Sequence, residues 1–184
     1  MCLVSCDMQP AILKIRLYAD PCLRKKSIPV KEVGPGERLL IQSMIETMHQ
    51  AKGVGLAAPQ AGINQRILVA DIGQGPIAVI NPQIVKKEGS VVMEEGCLSI
   101  PGVVVKIKRP QKIFLKFLDE NNRAREERFE DLMARVLLHE IDHLNGRLIV
   151  DYAGLIEKRK LKKKLDGIEA GYQGVRRSGN QAKF

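Results

Sequence analysis

The chain has 184 residues, 45% of them hydrophobic and 28% charged, the size and balance of one globular domain that can bury a real core. No apolar run approaches the ~20 residues needed to cross a bilayer, which excludes a transmembrane helix. The net charge is +9, and residues 157–184 carry nine Lys/Arg against three Asp/Glu. Such a run is either a solvated helix face or an electrostatic footprint for a polyanion such as RNA.

Residues 1–10 read as an N-terminal extension. Met1-Cys2-Leu3-Val4-Ser5-Cys6 lacks the basic and apolar stretches of a secretory signal before its second cysteine, so a reducing cytoplasm is expected. Cys2, Cys6, Cys22 and Cys97 are then thiols or metal ligands rather than disulfides. Residues 12–17 predict a short strand, followed by turn signals at Asp20-Pro21 and Ile28-Pro29. Leu40, Met44 and Met48 form an i, i+4, i+8 stripe, which predicts a helix over 37–52 with Gly53 ending it. His49, near its end, reads as a structural or surface residue.

Gly53-Val54-Gly55-Leu56-Ala57-Ala58-Pro59-Gln60-Ala61-Gly62 is rich in small residues. It reads as a flexible loop or as a loop built for close backbone approach to a ligand, with Gln60 as a hydrogen-bond donor. Residues 66–128 predict short strands at 66–72, 78–80, 84–86, 90–93, 103–107, 113–118 and 123–129. Asn81-Pro82, Glu88-Gly89 and Asp119–Asn122 are expected as turns. Neighbouring strands joined by short turns predict an α+β fold with antiparallel or mixed sheets around a central helix.

That helix is expected over 130–145, ended by Asn145-Gly146. It contains His139-Glu140-Ile141-Asp142-His143. Residues four apart share a helix face, so both imidazoles can reach one ion with Glu140 beside it, the arrangement in which a metal activates water and a glutamate takes its proton. A short strand at 147–150 and an exposed basic helix at 151–168 follow. The expected organisation is a single catalytic domain over 1–170 and a disordered basic tail over 171–184.

A catalytic site of this kind needs a third protein ligand and an open position. The extended pattern H-E-x-x-H-x-x-G-x-x-H stops matching at Ile149. Glu157 and Glu169 are the glutamates downstream, both in the basic exposed region. Cys97, in Glu94-Glu95-Gly96-Cys97-Leu98-Ser99-Ile100-Pro101-Gly102, is the better candidate, since a thiolate completes a Cys-His-His set. Two rival readings are a zinc endopeptidase, opposed by the missing ligand, and a metal-stabilised RNA- or ribosome-binding module, opposed by Glu140, for which a purely structural site has no use.

Three separated motifs together resemble the peptide deformylase family: Gly53–Gln60, Glu95-Gly96-Cys97-Leu98-Ser99, and His139-Glu140-Ile141-Asp142-His143-Leu144-Asn145-Gly146. The resemblance spans roughly residues 11–155. Leu138 and Ala19 depart from the residues common in the family, and neither is a ligand or the catalytic acid.

The resemblance implies removal of the N-formyl group from the formylmethionine of nascent chains, releasing formate. Cys97, His139 and His143 would hold one divalent ion, typically Fe(II), with Zn, Ni or Co as substitutes. Glu140 would be the general acid/base. The Gln60 amide and the Leu98 N–H would stabilise the oxyanion, and Gly55 would pair with the substrate backbone. Val54, Met93, Leu132 and Val136 are expected around the methionine pocket from their spacing, and Glu95 is grouped with these substrate-binding residues. Asp142 is expected either to pair with Arg109 or to face solvent. The partners expected are the nascent formylmethionyl peptide and, through the basic helix, the ribosome or its RNA, with no membrane.

Overall fold

A computed structural model of the chain describes residues 9–179. The proposed N-terminal extension, with Cys2 and Cys6, lies almost wholly outside the described residues, as do residues 180–184. In chain order the elements are α1 (Pro35–Gln50), β1 (Gly55–Ala57), β2 (Ile67–Ala70), β3 (Ile77–Glu88), β4 (Val91–Cys97), β5 (Ile100–Arg109), β6 (Lys112–Leu118), β7 (Ala124–Glu130), α2 (Asp131–Leu144) and α3 (Leu155–Gly179). Among the described residues these strands pair antiparallel, in a five-stranded sheet of order β1-β2-β3-β6-β7 and a separate β4-β5 hairpin. No helix among the described residues is long and apolar enough to cross a membrane.

The β1-β2 end of the larger sheet is covered on both faces, which explains the unbroken apolar run of β2. Leu56, Ile67 and Val69 point to α1, where Ile41, Met44 and Met48 meet them. Ala57, Leu68 and Ala70 point to α2 and pack with Leu137, Leu138, Ile141 and Leu144. The period of two along each strand thus divides one sheet between two cores. A third core joins Ile100, Val103, Val105 and Ile107 of β5 to Leu148, Ile149, Val150 and Ala153, and Leu161, Leu165 and Ile168 of α3 pack against it.

The structure departs from the sequence reading at several points. Residues 12–17 form no strand. Asn81-Pro82 is no turn: Asn81, at φ +53°, sits in a bulge inside the single strand β3, and its side-chain amide holds both the N–H and the C=O of Val30. Glu88-Gly89 joins no hairpin, because β3 pairs with β6 and β4 with β5, so this turn carries the chain between sheets. The left-handed residue ending α1 is Lys52, not Gly53. Ile149–Tyr152 is a 3-10 turn rather than a strand. The last helix continues to Gly179, past both the predicted end at 168 and the start of the proposed tail.

Candidate metal centre

Helix α2 is buried along most of its circumference. Its C-terminal end is closed by Gly146 at φ +72°, where a Cβ would lie 2.5 Å from the Arg24 carbonyl oxygen. The turn can pass there only as glycine. One turn of α2 carries His139 and His143, whose ring centroids are 5.1 Å apart. Cys97 approaches from the last residue of β4. A register shift between Gly96 and Cys97 tips the hairpin end toward α2.

The Cys97 Sγ lies 3.2 Å from His143 Nε2, and the ligand atoms of Cys97, His139 and His143 all lie within 4.8 Å of one another. A tetrahedral ion with metal–ligand bonds of about 2.0–2.3 Å separates its ligands by about 3.3–3.8 Å, so these three donors can close on one ion with little movement. Among the described residues this is the one such group of His, Cys, Asp and Glu. Glu157 and Glu169 stand apart on α3.

The two imidazoles are prepared differently. Burial and the neighbouring His139 and Arg109 charges hold the His143 pKa well below its ordinary value, which favours the neutral, ligating form. Burial also opposes a charge on His139, but hydrogen bonds to Cys97 and Glu95 outweigh it and raise its pKa. Its Nδ1 is 3.0 Å from Glu95 Oε2, which leaves Nε2 for an ion.

Glu95, expected among the substrate-binding residues, lines the pocket of this site, and its carboxylate also supports this histidine. Oε1 accepts from Arg109 Nε at 2.6 Å and Arg135 Nη1 at 2.5 Å, and Oε2 accepts from Arg109 Nη2 at 2.9 Å. With His139 on Oε2 as well, its four acceptor directions are used within the protein. Burial works against this carboxylate, but the His139 and Arg109 hydrogen bonds outweigh it and hold its pKa at about 2. The Asp142–Arg109 pair exists, at 2.8 Å.

Glu140 is 4% exposed, and burial pushes its pKa up to about 7. Its Oε2 has no hydrogen-bond partner among the described residues. A buried, unsatisfied carboxylate oxygen near neutrality, beside three metal-type donors, suits a group that exchanges protons with a water. Gly55 makes room for it: a Cβ there would lie 2.5 Å from Glu140 Oε1 and 2.8 Å from Val136 Cγ1.

The Gln60 side chain is 1% exposed and fixed at both ends. Oε1 accepts from the Ala57 N–H at 2.8 Å, while Nε2 donates to Ser99 Oγ at 3.2 Å and lies 3.7 Å from Cys97 Sγ. Leu98 sits in the turn after Cys97, and its side chain packs so close to Gly53 that a Cβ on Gly53 would lie 2.8 Å from its Cδ1.

These groups open onto one pocket of about 460 Å³, lined among others by Val54, Gly55, Met93, Leu132, Val136 and Arg135. The four apolar residues expected there are brought together, Val136 buried and the other three exposed at 45–46%. Arg135 and Ser99 escaped the sequence reading. Arg135 was detectable as a cation between the apolar positions Leu132, Val136 and Leu137 of the helix, whereas Ser99, inside the cysteine motif, gave no signal of its own.

The family model for polypeptide deformylase matches residues 12–159. The chain is 48% identical over 167 residues to a peptide deformylase of Chlorobaculum parvum, covering 87% of this chain and 89% of the relative. It is 50% identical over 143 residues to one from Thermoanaerobacter pseudethanolicus, covering 78% and 90%. The fold matches the crystal structure of a peptide deformylase from Legionella pneumophila with a TM-score of 0.83 at 40% identity, over 89% of this chain and 98% of that one.

Proposed function

Since the chain belongs to the peptide deformylase family, we propose that it hydrolyses the N-formyl group of N-terminal formylmethionine on newly made polypeptides in the cytoplasm. Three donors, a buried proton acceptor and an apolar pocket converge within one site, and the observation that carries the reading is the unpartnered Glu140 Oε2 beside Cys97, His139 and His143.

Cys97, His139 and His143 would hold the divalent ion. When bound, it supplies Lewis acidity and brings a water's pKa toward neutrality. A thiolate with two imidazoles suits Fe(II), Zn, Ni or Co, and Fe(II) is the ion the family resemblance favours.

Glu140 takes a proton from the attacking water as oxygen adds to the formyl carbon. The negative charge that develops on the formyl oxygen is met by the Gln60 amide and the Leu98 N–H, donors fixed before the reaction starts. The C–N bond then breaks, Glu140 returns the proton to the departing amine, and formate leaves. Gly55, at the end of an edge strand, pairs with the substrate backbone. Val54, Met93, Leu132 and Val136 receive the methionine side chain.

The decisive experiment is formate release from formyl-Met peptides by the metal-loaded protein and by Glu140→Ala. A variant that keeps its metal and full turnover would refute the role of Glu140. Cleavage of blocked internal peptide bonds at a comparable rate would instead favour the endopeptidase reading.

The exposed Lys158, Arg159, Lys160, Lys162 and Lys163 of α3 supply the charge for docking on ribosomal RNA. Replacing Lys160 and Lys163 with glutamine should weaken ribosome binding and flatten its salt dependence, and unchanged binding would exclude that partner.

A further inference from the structure

Arg109 is 4% exposed and reaches Glu95 with two nitrogens, at 2.6 and 2.9 Å. Its third nitrogen reaches Asp142 Oδ2 at 2.8 Å. That same oxygen accepts the Tyr152 hydroxyl at 2.7 Å, and the Arg109 guanidinium lies over the Tyr152 ring, 5.2 Å from its centroid. Tyr152 belongs to the 3-10 turn Ile149–Tyr152 and is 40% exposed. The ring is therefore the outer layer over a buried cation, and Glu95 behind that cation touches His139.

The geometry points to Tyr152 as a positioning residue for the metal centre. The inference rests on the metal-site reading above and deepens it. An aromatic face attracts a guanidinium and excludes water from it. With the ring gone, water reaches Arg109, and its attraction to Glu95 weakens in the higher local dielectric. Glu95 then holds His139 Nδ1 less firmly. A ligating histidine that loses its outer hydrogen-bond partner commonly costs a site ~10–100-fold in metal affinity. Tyr152 itself touches neither an ion nor a substrate.

The test compares the full-length wild type, Tyr152→Phe and Tyr152→Ala. Zn(II) affinity is read by chelator competition, and the visible spectrum of the Co(II)-loaded protein reports the thiolate–imidazole geometry. The unfolding midpoint of each metal-free protein serves as the fold control. Phenylalanine keeps the ring and loses the Asp142 hydrogen bond, so it should stay within about threefold of wild type, while alanine should weaken Zn(II) by about tenfold or more and shift the Co(II) bands.

Wild-type affinity and spectrum in the alanine protein would overturn the inference. So would an equal loss in the phenylalanine protein, which would place the effect in the hydroxyl. A wild-type protein that takes up neither ion would overturn the metal reading itself, and this inference with it. Should the alanine protein be too unstable to load, Tyr152→Leu, which has no ring face, is read in its place against the same thresholds.

Discussion

Glu95 Oε2 and His139 Nδ1 lie 3.0 Å apart, and this contact joins the β4–β5 hairpin to the central helix two residues before Cys97. One strand therefore brings both a candidate metal ligand and the carboxylate that orients another. The two cannot be displaced independently, because a shift of β4 moves both.

Replacing Glu95 with glutamine should alter the acid limb of stability. Its folded pKa is lowered from 4.5 to about 2, so its contribution is fully present above pH 4.5 and lost as pH falls toward 2. The linkage is worth on the order of 3 kcal/mol for this buried group. The variant should be less stable at pH 7, because Arg109 and Arg135 lose a charged partner, and its stability should fall less steeply between pH 4.5 and 2. Denaturant titrations across that window decide it; parallel curves for the two proteins would contradict the role given to Glu95.

Gly55→Ala should disable the enzyme more than it unfolds it. The new methyl meets Glu140 Oε1 at 2.5 Å and Val136 Cγ1 at 2.8 Å, so the proton acceptor must move. Overpacking of this kind costs about 1–3 kcal/mol of stability, while a misplaced general base lowers kcat/KM by about 100-fold. Kinetics and thermal unfolding on the same preparation separate the two effects.

Gln60→Glu retains an oxygen for the Ala57 N–H and removes the amide donor near Cys97. Loss of one preorganised donor to a developing oxyanion lowers kcat by about 100- to 1000-fold. A kcat within a few-fold of wild type, with metal content unchanged, would remove Gln60 from the oxyanion site.

Val136→Ala enlarges the buried side of the pocket, where this residue is 6% exposed. KM for formyl-Met peptides should rise more than kcat falls, because the lost contact stabilises substrate and transition state alike. An unchanged KM would place the methionine side chain elsewhere.

What could be read from the sequence was what depends on local periodicity. His139 and His143 share a face because they stand four apart on a helix, and the strand positions followed from β-branched or alternating runs between turn signals. Even the failures were mostly local: Asn81-Pro82 looks like a turn, but its side chain serves Val30, 51 residues away in sequence. Glu88-Gly89 looks like a hairpin turn, but β3 pairs with β6 and β4 with β5, pairings between segments that local spacing does not reveal.

The sequence by itself determined a helix presenting two histidines and a glutamate to one side, and its motifs identified Cys97 as the partner. Only the tertiary structure decided how these groups are held. Burial raises Glu140 toward neutrality, Gly55 opens the space it occupies, and Arg109 and Arg135 fix the Glu95 carboxylate where it meets His139. Each of these depends on atoms brought together from distant segments, where desolvation and close contact, rather than spacing along the chain, set the chemistry.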